Sequence, residues 1–213
     1  MEVTIFNVGQ GNGTLTTFPK KPSLLLDCGS SQQPGGKNQN KAAIISAMVK
    51  KIEASGSKDL VIVASHPDID HCNFLSEIAK ECLKKDYKLT VLLGGSRSDY
   101  ESKTKENFGP EFTELEKKCL EQKYTFKFRD EIKDMKEFCD KRLPDYCKVV
   151  ASSPGNKNPN EDSIIMRVAD GDFSVLFLGD ATDKVTGALT AAQLKSEVVI
   201  LSHHGAEREK CTT

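Results

Sequence analysis

The sequence predicts an α/β layered fold. Apolar runs of strand length alternate with stretches whose apolar residues recur at helical spacing, the interleaving that layered α/β chains require. Three of the runs, at 60–65, 174–178 and 198–202, lead into His or Asp, the middle one through Gly179. All four histidines fall in the two clusters that follow the first and last of these, His66 with His71 and His203 with His204.

Val3 to Asn7, Gly13 to Phe18 and Ser23 to Asp27 read as three short strands joined by Gly and Pro turns. A polar loop covers 30–39, and Asn40 is placed to cap a helix through about Ser55, with Ala43, Ile44, Ala47, Met48 and Ile52 on one face. Strand 60–65 delivers the first His cluster. A helix from Phe74 to about Lys84 and a strand from Lys88 to Leu93 follow it. Residues 95–148 are more polar. They carry one amphipathic helix built on Phe112, Leu115, Cys119 and Leu120, a half-buried strand at 124–128, and a second helix on Ile132, Met135, Phe138 and Cys139. Strands near 148–152, 163–168 and 173–178, a helix at 183–195 and a strand at 197–202 complete the pattern. No composition shift or repeat divides it. Residues 1–213 are therefore read as one domain in which 95–148 is a polar helical elaboration.

Composition excludes several classes. With 38% hydrophobic and 29% charged residues, the chain is that of a soluble globular protein, and a net charge of −1 gives no global pull toward nucleic acid or membrane. No apolar run approaches the roughly 18 residues of a membrane span. The start at Met1 reads as a strand rather than a secretory signal. Seven cysteines, an odd number with no C-x-x-C pair, argue against a structural zinc knot or a full disulfide framework. A cytoplasmic location is the expectation.

The chemistry lies at the strand ends. In His66-Pro-Asp-Ile-Asp-His71 the chain turns away from the sheet, so that ligands close in sequence can face two adjacent ions. Asp70 and His71 are expected in loop backbone just before the Phe74 helix, and Asp180, arriving from another strand, is placed to bridge the ions. Each piece alone has an ordinary explanation: a capping histidine, a turn aspartate, an exposed loop. Their conjunction points to a divalent-metal site and a hydrolase.

Six ordered segments carry a resemblance. His66 to His71 resembles the H-x-[HD]-x-D-H signature of the metallo-β-lactamase fold. Asn7-Val-Gly-Gln-Gly-Asn12 is similar to the D-V-G-Q-G-D opening of its ComEC type, the metallo-hydrolase domain of competence proteins. Leu24-Leu-Leu-Asp-Cys-Gly-Ser30, Asn160-Glu-Asp-Ser163, Leu176-Phe-Leu-Gly-Asp180 and Leu201-Ser-His-His-Gly-Ala206 resemble its remaining motifs in order.

The resemblance implies a four-layer αβ/βα sandwich with two divalent ions at one edge between the sheets. His66 and Asp68 would hold one ion, Asp70, His71 and His203 the other, with Asp180 bridging. Asp70 and His204 form the catalytic pair in this reading, and His204 protonates the leaving oxygen. Asp27 would support the ligands from behind, and Ser163 either orders the loop beside the metals or simply starts a strand. An aspartate at position 68, where a second His is usual, shifts the donors toward oxygen and leaves the metal open between zinc and manganese.

Three departures stand out. Asn7 and Asn12 replace the usual acids, no further histidine occurs near 156–160, and the chain ends nine residues after His204, where relatives continue. The last point leads us to expect either a truncated C-terminus or a sheet edge completed by a protein partner or a second copy. The implied activity is a phosphodiesterase or nuclease using a metal-bound hydroxide on nucleic acid or a nucleotide, without a membrane partner. Two alternatives stay open: a hydrolase of lactones, thioesters or amides, and a metal-binding interaction protein without turnover.

Overall fold

A computed structural model describes residues 1–31, 41–102, 108–152 and 158–201. The chain builds two sheets. The first has six strands in chain order: β1 (Glu2–Ile5), β2 (Gly13–Thr17), β3 (Ser23–Cys28), β4 (Asp59–Ala64), β5 (Lys88–Leu93) and β6 (Thr125–Phe128). β1, β2 and β3 pair antiparallel, whereas β3 to β6 run parallel. Parallel neighbours need crossovers, and helices supply them. α1 (Lys41–Ala54) links β3 to β4, α2 (Ile69–Cys72) and α3 (Leu75–Leu83) link β4 to β5, and α4 (Arg97–Ser102) and α5 (Phe108–Glu121) link β5 to β6. The carboxyl ends of four strands consequently lie along one edge.

The second sheet follows α6 (Met135–Arg142). Its strands are β7 (Cys147–Ala151), β8 (Ile165–Asp170), β9 (Phe173–Phe177) and β10 (Val198–Ile200), in the order β10-β9-β8-β7. β8 turns into β9 through Gly171-Asp172, where Gly171 has φ 61°, a backbone state that glycine adopts without steric cost. α7 (Asp183–Thr186) and α8 (Ala191–Leu194) then return the chain to β10, which lies parallel to β9.

Side-chain alternation along the strands assigns each face. Leu25, Leu60, Ile62, Val91 and Leu93 meet the buried stripes of α1, α3 and α5. The residues between them, Leu24, Leu26, Val61, Val63 and Leu92, face Met166, Val168, Val175 and Phe177 of the second sheet. On that sheet's far face, Ile165 and Leu176 cluster with Val185, Leu189 and Leu194. Helices, sheet, sheet and helices thus form successive layers, each interface apolar. No helix of the described residues is long and apolar enough to cross a membrane.

Several elements differ from expectation. In α1 the buried stripe is Ile45, Met48, Val49 and Ile52, while Ala43 and Ala47 face solvent. Burying larger side chains removes more apolar surface from water, which fixes the helix rotation. Leu120 of α5 is exposed and Ile132 lies outside α6. The helix expected at 183–195 is two short ones: the first closes at Gly187, and the Thr190–Gln193 capping box starts the second. Within the polar segment 95–148, Phe112, Leu115, Cys119, Phe126 and Phe128 share the cluster of β3 to β5.

Candidate metal centre

At the carboxyl end of β4, Ser65 and His66 follow an apolar strand and are fully buried. Pro67 then diverts the chain. Asp70 and His71 sit in the single helical turn of α2 rather than in a loop, which brings His71 back under His66, with ring centroids 4.2 Å apart. The turn packs close on the β3 end. A Cβ at Gly29 would lie 2.5 Å from the Ile69 carbonyl oxygen, so only glycine admits this approach. The carbonyl of Asp70 accepts from the Asn12 N–H at 2.9 Å, and Ser30 pairs twice with the Asn73 carboxamide. The 7–12 segment is thereby docked beside the first His cluster.

Asp180 reaches the same place from the second sheet. Gly179, with φ 58°, turns the chain after β9, and a Cβ there would stand 2.7 Å from Ser65 Cβ. The Ile164 N–H donates to the Ser65 carbonyl at 2.9 Å, which joins the sheets at this edge, and the Asp180 N–H donates to Ser163 Oγ at 3.2 Å. The carboxylate divides between the two rings. Its Oδ1 lies 3.2 Å from His71 Nε2 and its Oδ2 3.9 Å from His66 Nε2. Asp68 Oδ2 lies 3.4 Å from His66 Nε2 on the more open side.

Behind the rings lies Asp27, fully buried and held at φ 53°, a left-handed backbone that non-glycine residues seldom adopt. Its Oδ1 accepts from the Ser65 N–H at 2.6 Å, its Oδ2 accepts from Ser65 Oγ at 2.8 Å, and Oδ2 lies 2.9 Å from His71 Nδ1. Burial works against a charged His71 ring, but the Asp27 and Asp180 carboxylates outweigh it and push its pKa up to about 10. A cation is thus favoured at this point.

His66, His71 and Asp180 each offer one ligand atom, and the three atoms lie within 4.8 Å of one another. The donor set fits a divalent ion. Bonds of about 2.0–2.2 Å to imidazole nitrogen and carboxylate oxygen span such spacings. His66 Nε2, buried, has no hydrogen-bond partner among the described residues, as a nitrogen reserved for a metal would not. Of the sequence-derived residues, the structure brings together His66, His71 and Asp180, with Asp68 and Asp27 alongside and Ser163 under the Asp180 backbone. Asp70 is on the adjoining turn but outside the three-residue group. His203 and His204 lie outside the described residues.

Sequence reasoning missed Ser65 and Asn73. For Ser65 the available signal was a polar residue closing an otherwise apolar strand immediately before a histidine. Asn73 gave none, because its pairing with Ser30 depends on the meeting of β3 and α2.

Comparison with protein-family models, with curated proteins and with solved structures finds no match.

Proposed function

We propose that the chain is a metal-dependent hydrolase of metallo-β-lactamase-like architecture, and that phosphodiesters are its substrate class. One observation carries the reading: a buried His66–His71–Asp180 group assembled from both sheets, with the two Asp180 oxygens turned to different histidines. If two ions bind here, Asp180 and Asp68 would supply carboxylate oxygens beside the two imidazoles. Asp70 and His203 would complete the second set. Zinc and manganese both accept this mixture of nitrogen and oxygen. Two such ions, when bound, lower the pKa of coordinated water and neutralise charge on the attacking and leaving oxygens.

The chain's own residues do the rest. Asp27 and Ser65 hold the imidazoles from behind and Gly179 admits Asp180 against Ser65; His204 would donate the proton to the leaving oxygen. The sequence motifs resembling the ComEC type favour a phosphodiester over a carbonyl substrate.

The test is hydrolysis of bis(p-nitrophenyl) phosphate by the metal-free chain reloaded separately with Mn²⁺ and Zn²⁺. Turnover that falls at least about a hundredfold in both Asp180→Asn and Asp70→Ala would support the reading. Stoichiometric metal uptake with turnover only on a lactone or thioester would move the assignment to carbonyl chemistry. Uptake with no turnover on any of these esters would leave a metal-binding interaction protein.

A further inference from the structure

We infer that Ser65 is a positioning residue that, together with Asp27, selects the ring tautomer in which His66 presents Nε2 to a metal. The inference rests on the reading of the His66–His71–Asp180 group as a metal centre. Ser65 Oγ has one hydrogen and two close neighbours, Asp27 Oδ2 at 2.8 Å and His66 Nδ1 at 3.0 Å. His71 Nδ1, at 3.5 Å, is too distant to compete and lies 2.9 Å from Asp27 Oδ2 instead.

The direction of each bond follows from what its partner can do. Asp27 is surrounded by the Ser65 N–H, the Ser65 hydroxyl and the His71 ring. An ionised carboxylate only accepts, and three neighbours that can donate suit that form. If the hydroxyl donated to His66 instead, two lone-pair oxygens would face each other at 2.8 Å, fully buried, with no hydrogen between them. The hydroxyl therefore donates to Asp27, and its oxygen accepts from His66 Nδ1–H. That places the lone pair of His66 on Nε2, the atom turned toward Asp68 and Asp180. His71 Nδ1–H donates to the same Asp27 oxygen and leaves its Nε2 facing Asp180. A single carboxylate thus aligns both rings, one directly and one through a hydroxyl.

The variants separate this arrangement from mere packing. Ser65→Ala removes the acceptor for His66 Nδ1–H and leaves His71 on Asp27. Asp27→Asn keeps the shape but puts an N–H where an acceptor stood. The hydroxyl then turns to donate to His66 Nδ1, and His66 takes its hydrogen on Nε2.

Long-range ¹H–¹⁵N correlation spectra of the metal-free full chain show which nitrogens of His66 carry hydrogen. We expect Nδ1–H in the parent, a mixture of forms in Ser65→Ala, and Nε2–H in Asp27→Asn. Competition against a chromophoric chelator, with zinc alone as the probe, should show about 10–100-fold weaker binding for Ser65→Ala. A parent His66 with no hydrogen on Nδ1 would overturn the inference, as would unchanged zinc affinity in a folded Ser65→Ala chain. The spectra require no turnover. Failure of the hydrolase reading, seen as zinc binding without hydrolysis, therefore leaves the tautomer assignment standing, and a wrong tautomer leaves the hydrolase assay untouched.

Discussion

His71 joins the local chemistry of the sequence to the stability of the fold. Its ring is buried between Asp27 and Asp180, and these carboxylates hold its pKa near 10 against an ordinary value of 6.5. A folded-state pKa above the unfolded one stabilises the protein in full below the unfolded value and loses that stabilisation as the pH rises through the folded value. For the metal-free chain the window is therefore 6.5 to 10. Its melting temperature should fall steadily across that range, and His71→Gln should flatten the fall. A parent chain whose melting temperature is level across the window would show that the ring is not held as a cation. The histidines were legible in the sequence because each follows an apolar run. The family resemblance marked Asp27 as a support for the ligands, but the left-handed backbone that aims its carboxylate at Ser65 and His71 was not legible.

Among the elements, periodicity located α3 and β3 to β6 well, because their burial patterns are set by strand alternation and a single helical stripe. It was weaker where capping decides. α6 starts at Asp134, whose carboxylate accepts from the Glu137 N–H at 2.9 Å. The sequence placed Ile132 inside this helix, but the cap excludes it. Asp134→Ala should cost about 1 kcal/mol, read as a lower denaturation midpoint at unchanged slope. No change in midpoint would mean that packing against β7, rather than the cap, holds the helix. The turn that carries Asp70 and His71 was read as a loop because four residues are too few to show a helical period.

Across the whole molecule, cysteine chemistry follows from layer position. Cys28, Cys72, Cys82, Cys119 and Cys147 are buried within the apolar layers, while Cys139 is half-buried. Burial pushes the thiol of Cys82 up to about 12 and that of Cys119 up to about 11, and raises Cys28 and Cys147 as well. Thiolate is the reactive form, so buried and neutral thiols are protected twice. In a Cys211→Ser background, a maleimide at about pH 8 should modify Cys139 alone in the native chain and all six described cysteines after unfolding. Rapid native labelling of Cys82 or Cys119 would contradict the packing of α3 and α5 on the first sheet.

The sequence by itself determined the α/β alternation, the apolar strands and the placing of histidine and aspartate at their ends. These are local properties: burial alternates within a strand, and a strand's end is marked by the residues that close it. Only the tertiary structure decided that His66, His71 and Asp180 share one buried point with Asp27 and Ser65 behind them. That convergence depends on how two sheets stack, through Leu24, Val61 and Val63 against Met166, Val175 and Phe177, and on the backbone bond from Ile164 to Ser65. Contacts between layers have no period along the chain, because they join residues whose separation in sequence is set by the crossovers between them.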